Sequence, residues 1–519
     1  MRLQHMKTTF RHNICVDNHL LNTTFLQFYD IEKIEMYSHA EAIQEYELED
    51  DELDLFIRIG SDYVSNYYEY SIPLKITDWD VSQGEGNAVT TDSPLRQSIW
   101  PDANRIDLEL NSLLTVKQAR NNNGVSFDDV YESAQNNGGV ISIVGNPNLG
   151  NVKTIMIGVR NASANSSVNS VPKSGEIWVN ELRLTGFNEK GGWAARTQVR
   201  LRLADFANIA FAGSMSTVGF GSLEKNISER NLQDSKRYNV TANVELGQLF
   251  PAKNNIKLPM YVSVSESVDK PQYNPLDPDI PLETSLQVAD SLGGKEARDE
   301  LEEKVRNYTK IKSVNFTNVR KTRVQKKGEK PKKQKVYDIE NWTLSYSKNK
   351  TLIRNINTEY NRTINYRGAI TYNFNTQPKN IKPFGKIKFP KSPYFRIIKD
   401  INFYTMPKNF SFRTDLDKNY NETKLRNLSN SNLIIYPTYN KLFNWNRMYD
   451  IKYDITRTLK LDFNVTHRAN IDEPSGRLSK SDPLYRQKMD TIWSNFRNFG
   501  RPTSYHQTVS LNYQVPLNK

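Results

Sequence analysis

The sequence predicts a mainly β protein: a β-sandwich (jelly-roll-like) domain followed by antiparallel transmembrane β-barrel strands that form part of a larger, unclosed barrel. Three observations predict it. Strand-length runs with a two-residue apolar period recur along most of the chain. Tyr, Phe and Trp make up 11% of the residues, a usage that suits pleated surfaces and aromatic girdles. No stretch approaches the ~20 consecutive apolar residues that a membrane helix needs. A barrel strand needs only one apolar face, so 37% hydrophobic residues and a mean hydropathy of −0.68 suit a barrel as well as a soluble protein.

Taken in order, residues 1–30 have no clear period and are left unassigned. From Ile34 the pattern is β, with Leu53, Leu55, Ile57 and Ile59 alternating and residues 66–74 strand-like up to Pro73. Asp102 is placed to cap a helix bearing Ile106, Leu110, Leu113 and Leu114 on one face. Two short apolar runs, 140–144 and 155–159, and a strand over 175–184 complete a sandwich domain over residues 31–187.

After Gly186 the strands lengthen, and one face of each becomes consistently polar. Residues 188–519 therefore read as a partial transmembrane barrel with long polar loops at 268–309 and 320–337. Side chains alternate across a strand. Arg196, Gln198, Arg200 and Arg202, with Asn239, Thr241, Asn243 and Glu245, become candidates for a water-filled lumen. Val199, Leu201, Val240, Val244 and Leu246 face lipid, as do Leu461, Phe463 and Val465 near the end. The same alternation fits a soluble antiparallel sheet packed on one side; the long hydrated faces and the lack of helices to cover a large sheet favour the barrel. Of the loops, 269–309 begins Pro-rich and continues over 285–307 as a charged, helix-compatible segment interrupted by Gly293-Gly294. The 320–335 stretch sets nine Lys and Arg against Glu329 alone and reads as a solvated loop or as a contact for lipid phosphates or an acidic partner.

Lys and Arg number 70 against 58 Asp and Glu, for a net charge of +12. Nucleic acid would require that charge on one face among stacking aromatics, whereas here it is spread, so no nucleic-acid partner is expected. A single cysteine, Cys15, rules out intrachain disulfides and thiolate clusters. The six histidines lack ligand spacing; His39 with Glu41 comes nearest and is expected at an ordinary surface position. No phosphate loop, His-Glu-x-x-His or nucleophile elbow is present. No catalytic residue, metal site or cofactor is therefore expected, and the chain is expected not to be an enzyme. No apolar leader opens it, and a strand over 509–515 stops almost at the last residue. We expect a piece of a longer product whose signal peptide lies elsewhere.

Three segments carry a resemblance: Arg58-Ile59-Gly60-Ser61-Asp62-Tyr63 with Asn66-Tyr67-Tyr68-Glu69-Tyr70, then Gly175 to Arg183, then Tyr273-Asn274-Pro275-Leu276-Asp277-Pro278-Asp279. Together and in order they resemble the SprA/Sov family, the outer-membrane translocon of the type 9 secretion system in Bacteroidota, from about Ile31 to the end. The resemblance implies a very large barrel exporting folded cargo with C-terminal targeting domains, and gliding motility in some members. It also implies a bacterial outer-membrane location, lipid contact, a PorV-like barrel partner and a periplasmic plug protein, and it brings no catalytic residues. Two readings stay open beside it: a soluble cell-surface module with a carbohydrate-binding-like sandwich, and a different outer-membrane transporter barrel. The Asp277 and Asp279 pair suits a cation in principle, with a Pro-stiffened turn preferred.

Overall fold

The computed structural model describes residues 6–9, 17–26, 28–29, 31–43, 47–77, 94–161, 173–187, 190–224, 229–323, 334–385, 401–428 and 433–515. Strand accounts for 53% of the chain and helix for 17%, in antiparallel sheets of which none closes on itself. The chain forms two compact units: Met1–Trp193 with Thr217–Asp234 and Pro271–Val305, and Ala194–Ser216 with Ser235–Lys270 and Arg306–Lys519. The chain thus returns twice to the first unit after entering the second, where the sequence suggested a single boundary near Gly186.

The first unit contains β1 (Met6–Thr9), β2 (Asp17–Leu26), β3 (Ile31–Ala42), β4 (Leu53–Gly60), β5 (Tyr67–Pro73), helix α1 (Pro94–Ile99) and β6 (Ile106–Glu109). Helix α2 (Leu110–Asn122) is followed by β7 (Tyr131–Ala134), β8 (Val140–Val144), β9 (Val152–Asn161) and β10 (Gly175–Phe187). One sheet has the order β1-β10-β3-β6 and the other β2-β9-β4-β5-β8-β7. Set the β7–β8 hairpin aside and the remaining strands wrap between the sheets in the order of a jelly-roll sandwich. Ile34, Met36 and Ile177 from one sheet meet Leu55, Ile57, Tyr68 and Ile157 from the other in a single core, because period-2 strands turn alternate apolar side chains to one side. A bulge at Glu181 (φ 57°) shifts the β10–β3 register between Asn180 and Arg183.

Two expectations are corrected here. Residues 1–30 are not empty: β1 and β2 are the opening strands of both sheets, and their short runs carry too little periodicity to stand out. The helix does not start at Asp102 either. A 3-10 turn, Asp102–Asn104, leads into β6, and only from Leu110 does the chain coil. Ile106 and Leu108 are buried as strand residues, so a shared apolar pattern concealed a change of period.

The second unit contains β11 (Ala194–Leu203), β12 (Ala207–Ser216), β13 (Gln233–Glu245), β14 (Ile256–Lys257), β15 (Pro259–Pro271), β16 (Asn307–Lys321), β17 (Trp342–Arg354) and β18 (Thr358–Asn375). Helix α3 (Leu282–Val305), between β15 and β16, belongs to the first unit and is broken at Gly294 (φ 70°), as the Gly293-Gly294 pair suggested. Then follow β19 (Asn380–Ile381), β20 (Phe403–Tyr404), β21 (Asn409–Leu425), β22 (Thr438–Asp454), β23 (Leu459–Asn470), helix α4 (Tyr485–Arg497) and β24 (Arg501–Tyr513). The large sheet is a meander, β11-β12-β13-β15-β16-β17-β18-β21-β22-β23-β24, with β14 attached beside β16. Its eleven path strands are each 10 residues or longer, the ~9–11 that a tilted membrane-crossing strand needs. Helix α4 was not foreseen. Most of the 320–335 basic loop, residues 324–333, lies outside the described residues.

Candidate functional site

Residues opposite each other in an antiparallel pair project to the same side, so the registers test whether the alternation of separate strands adds up to two coherent faces. It does. Val199, Phe211 and Val240 form one row across β11, β12 and β13, and Leu201, Ile209 and Ala242 form the next. The interleaved rows are Gln198–Ala212–Asn239, Arg200–Ala210–Thr241 and Arg202–Asn208–Asn243. The Tyr238 hydroxyl donates to Glu266 Oε2 at 2.8 Å, which carries the apolar side onto Val262 and Val264 of β15. From there Val262 pairs with Val314, Phe316 with Tyr346, and Trp342 with Tyr372. Phe412, Tyr449 and Val465 continue the Tyr372 row, and Ile451, Phe463 and Val509 form the row beside it. One apolar band thus crosses all eleven strands.

Among the described residues, no second layer covers the band where it begins. Every residue of β11 is exposed on both sides, with Val199 at 48% and Leu201 at 51%. On β24, Val509 and Leu511 are at 56% and 61%. Covering an apolar row is what a soluble sheet needs a helix or second sheet for. Leu461 and Phe463 lie half-buried among their neighbours on the same face, and Val465 is buried at 8% between Tyr449 and Gln507. Leu246 departs from the sequence reading. It does not extend β13 but opens a 3-10 turn, Leu246–Leu249, where Glu245 Oε1 accepts the Leu258 N–H at 2.7 Å. Glu245 is therefore a turn-stabilising acceptor at the strand end.

The opposite face is polar. Around β18 and β21 it is a ladder of amides: Asn421 Nδ2 donates to Asn361 and Thr363, both at 2.8 Å, and Asn409 to Asn375 at 2.6 Å. Its charges are paired locally, Arg367 with Asp417 at 3.2 Å and Arg413 with Asp415 at 2.9 Å. Arg196, Arg200 and Arg202 make β11 the basic part of this face, with Arg237 opposite Ser214 on the neighbouring pair.

The first unit holds the other residues singled out. His39 and Glu41 are fully buried, not at the surface: His39 Nδ1 lies 2.5 Å from the Ile99 carbonyl and Nε2 3.3 Å from Glu41. Strand β3 faces the core on one side, and the Trp100 and Trp178 rings close over the other. Asp279 is a lock, not a cation ligand. Its carboxylate accepts from the Tyr68 hydroxyl and the Leu149 N–H, both at 2.7 Å, and lies 3.6 Å from Lys117 Nζ. Lys117 also donates to the carbonyls of Pro147 (2.9 Å) and Pro278 (2.5 Å). Burial pushes the Asp279 carboxyl and the Tyr68 hydroxyl up and the Lys117 ammonium down from their ordinary values. Asp62 closes the β4–β5 turn. Burial works to raise its carboxyl, but the N–H groups of Ser65, Val64 and Asn66 and the Asn66 amide overcome that and hold it down at about 2. Among the described residues no group of His, Cys, Asp or Glu could hold a metal, and no helix is long and apolar enough to cross a membrane.

Residues 11–286 match the family model SprA_N, described as a motility related/secretion protein. The chain belongs to this family. No curated protein matches it. The SprA_N match takes in the sandwich and the sheet strands β11 to β15, and all three motif segments lie within it. It begins at residue 11, so most of the stretch first set apart from the family belongs to it.

Proposed function

We propose that the chain forms part of an outer-membrane protein-conducting channel, the translocon of a type 9 secretion system. The observation that carries this is the apolar band running across eleven paired strands, exposed on the edge strands β11 and β24, with a polar face behind it. In this reading the band meets the acyl chains of a bacterial outer membrane and the amide face lines a water-filled passage. Membership of a motility and secretion family supports the direction of the reading. Partners follow from it: folded cargo with C-terminal targeting domains, a PorV-like barrel and a periplasmic plug.

The wall does no bond chemistry, and the reading assigns the chain no enzymatic reaction. Neutral amides and hydroxyls can exchange hydrogen bonds with water as cargo slides past, and around β18 and β21 the charges are paired locally. Energy must be supplied from outside. Geometry requires more strands than these. Eleven strands spaced ~4.8 Å apart and tilted ~40° enclose a circle only about 22 Å across between backbones. A folded 100-residue domain, with a radius of gyration near 13 Å, is roughly 34 Å across. The eleven strands are thus an arc of the passage.

The test is cysteine accessibility in membranes, on a Cys15→Ser background. A membrane-impermeant maleimide should label Arg200→Cys through the aqueous passage and leave Val199→Cys unlabelled until the membrane is dissolved. Equal labelling of both, or recovery of the protein as a detergent-free soluble monomer, refutes the channel reading in favour of a soluble surface module.

A further inference from the structure

The connection between β23 and β24 folds back onto the apolar side of the sheet, not onto the polar one. Its Glu473 pairs with Lys418 and its Pro474 carbonyl accepts Lys441 Nζ at 2.8 Å. Both lysines share the band's face, since Leu416, Lys418 and Tyr420 alternate along β21, with Trp445, Phe443 and Lys441 as their partners on β22. Helix α4 then lays Phe496 flat on Trp445, with ring centroids 4.7 Å apart at 5°. The Arg447 guanidinium donates to the Phe499 carbonyl at 3.1 Å, fixing the end of the helix to the same face.

The position of Trp445 matters. Toward Tyr453 the face carries Tyr449, Ile451 and Tyr453 beyond one polar row, Thr414–Arg447–His467. On its other side the rows turn basic: Lys348, Lys350, Lys418 and Lys441 replace the apolar residues. Trp445 and α4 therefore sit on the margin of the band. The helix itself is two-sided. Tyr485, Met489, Ile492 and Phe496, spaced for one face, are half-buried, while Trp493 stays 52% and Phe499 58% exposed. Trp493 shares its flank with Arg486 and Arg497, both exposed.

An exposed Trp between two Arg, at a boundary between apolar and basic rows, has no use for water alone. From this we propose that α4 is an interfacial anchor lying in the phosphate-bearing headgroup layer of a lipid leaflet, with Trp493 at the acyl boundary and Arg486 and Arg497 on phosphate oxygens. The inference rests on the membrane reading of the band. An amphipathic helix of this composition is bound by apolar burial together with attraction to anionic headgroups, and an aromatic ring with one wet edge prefers that layer to either bulk phase.

The experiment uses single nitroxide labels on the Cys15→Ser protein in nanodiscs of phosphatidylethanolamine and phosphatidylglycerol, with depth read from collision with oxygen against a water-soluble nickel chelate. A label at Asp490→Cys, on the Trp493 flank, should lie about 5–10 Å inside the headgroup boundary; Thr491→Cys, on the opposite flank, should lie in water; and Val240→Cys should lie deep in hydrocarbon. Arg486→Glu with Arg497→Glu, or exchange of phosphatidylglycerol for phosphatidylcholine, should shift the 490 label toward water. An aqueous 490 label beside a deep 240 label overturns the anchor and leaves the channel reading standing. If both are aqueous, the membrane reading fails first. A 490 label shielded from both colliders means protein covers the helix, which also overturns the anchor.

Discussion

Placing a lysine at two adjacent positions of β13 distinguishes the two faces more sharply than any single change. Val240 lies one residue from the middle of this 13-residue strand, in the row Val199–Phe211–Val240, and Asn239 is its neighbour in the row Gln198–Ala212–Asn239. If the band meets hydrocarbon, Val240→Lys puts an ammonium near the bilayer midplane at a cost of about 2–4 kcal/mol. At 1.4 kcal/mol per decade that lowers the folded population roughly 30- to 700-fold. Asn239→Lys faces water and should cost less than about 0.5 kcal/mol, as exposed substitutions do. The same ceiling would apply to Val240→Lys if the band were wet, since Val240 is 36% exposed. Reversible denaturant unfolding in lipid vesicles, followed by tryptophan fluorescence and by heat-modifiability on gels, measures both. Equal shifts for the two variants, or a silent Val240→Lys, would refute the assignment of faces.

Three further outcomes are expected. Asp62 has its carboxyl held at about 2 against an ordinary 3.8, so its contribution is close to full above pH 4 and is lost as pH falls through 2; Asp62→Ala should cost about 1–2 kcal/mol at pH 7, after allowance for its partial exposure, and little by pH 2, read from melting temperature against pH. Lys117→Met leaves Asp279 buried beside Tyr68 without its cation and should cost about 3–5 kcal/mol; in Lys117→Met with Asp279→Asn much of that loss should return, read from thermal unfolding. Trp445→Ala removes the ring beneath Phe496, at about 0.5–1.5 kcal/mol for the stacked pair besides its buried area, and tryptic cleavage at Arg486 and Arg497 should rise several-fold.

Much of this architecture is legible in period-2 patterns. Leu53 to Ile59, residues 140–144 and the alternations around Arg200 and Asn239 each sit in strands as read, because burial or one-sided solvation leaves its trace every second residue. The exceptions have physical causes. Leu110 and Leu113 carry a helical spacing that runs backward into Ile106 and Leu108 of β6, so the true start at Leu110 is hidden by a strand with compatible apolar positions. Helix α4 has a signal that could have found it: Tyr485, Met489, Ile492 and Phe496 at helical spacing, Pro483 before the start and Gly500 (φ 73°) after the end. His39 and Glu41 lie in a polar-looking stretch, and their burial depends on the Trp100 and Trp178 rings, brought from distant segments. Leu246 shows the limit at strand ends, where the next residue continues the pattern but the backbone turns.

The Asp279 lock explains why a charged pair, and not an apolar plug, sits inside the sandwich. The segment carrying Asp279 reaches the first unit only after the chain has built β11, β12, β13 and β15, so it must find a seat in a core formed largely from earlier residues. An apolar segment could settle in several positions, since hydrophobic contact is non-directional. Asp279 cannot: its left-handed backbone (φ 76°), the Pro278 carbonyl on Lys117, and the separate demands of Tyr68 and the Leu149 N–H on its two oxygens are met together in one seat. Buried pairs commonly yield little net stability, and the raised Asp279 carboxyl and lowered Lys117 ammonium record the desolvation cost of this one. Its return is register. Replacing Lys117 and Asp279 together by Met and Asn, a residue that tolerates the left-handed position and can still accept a hydrogen bond, should therefore return most of the melting temperature that Lys117→Met loses while broadening the backbone amide resonances of residues 272–282, a pattern that a purely stabilising ion pair would not produce.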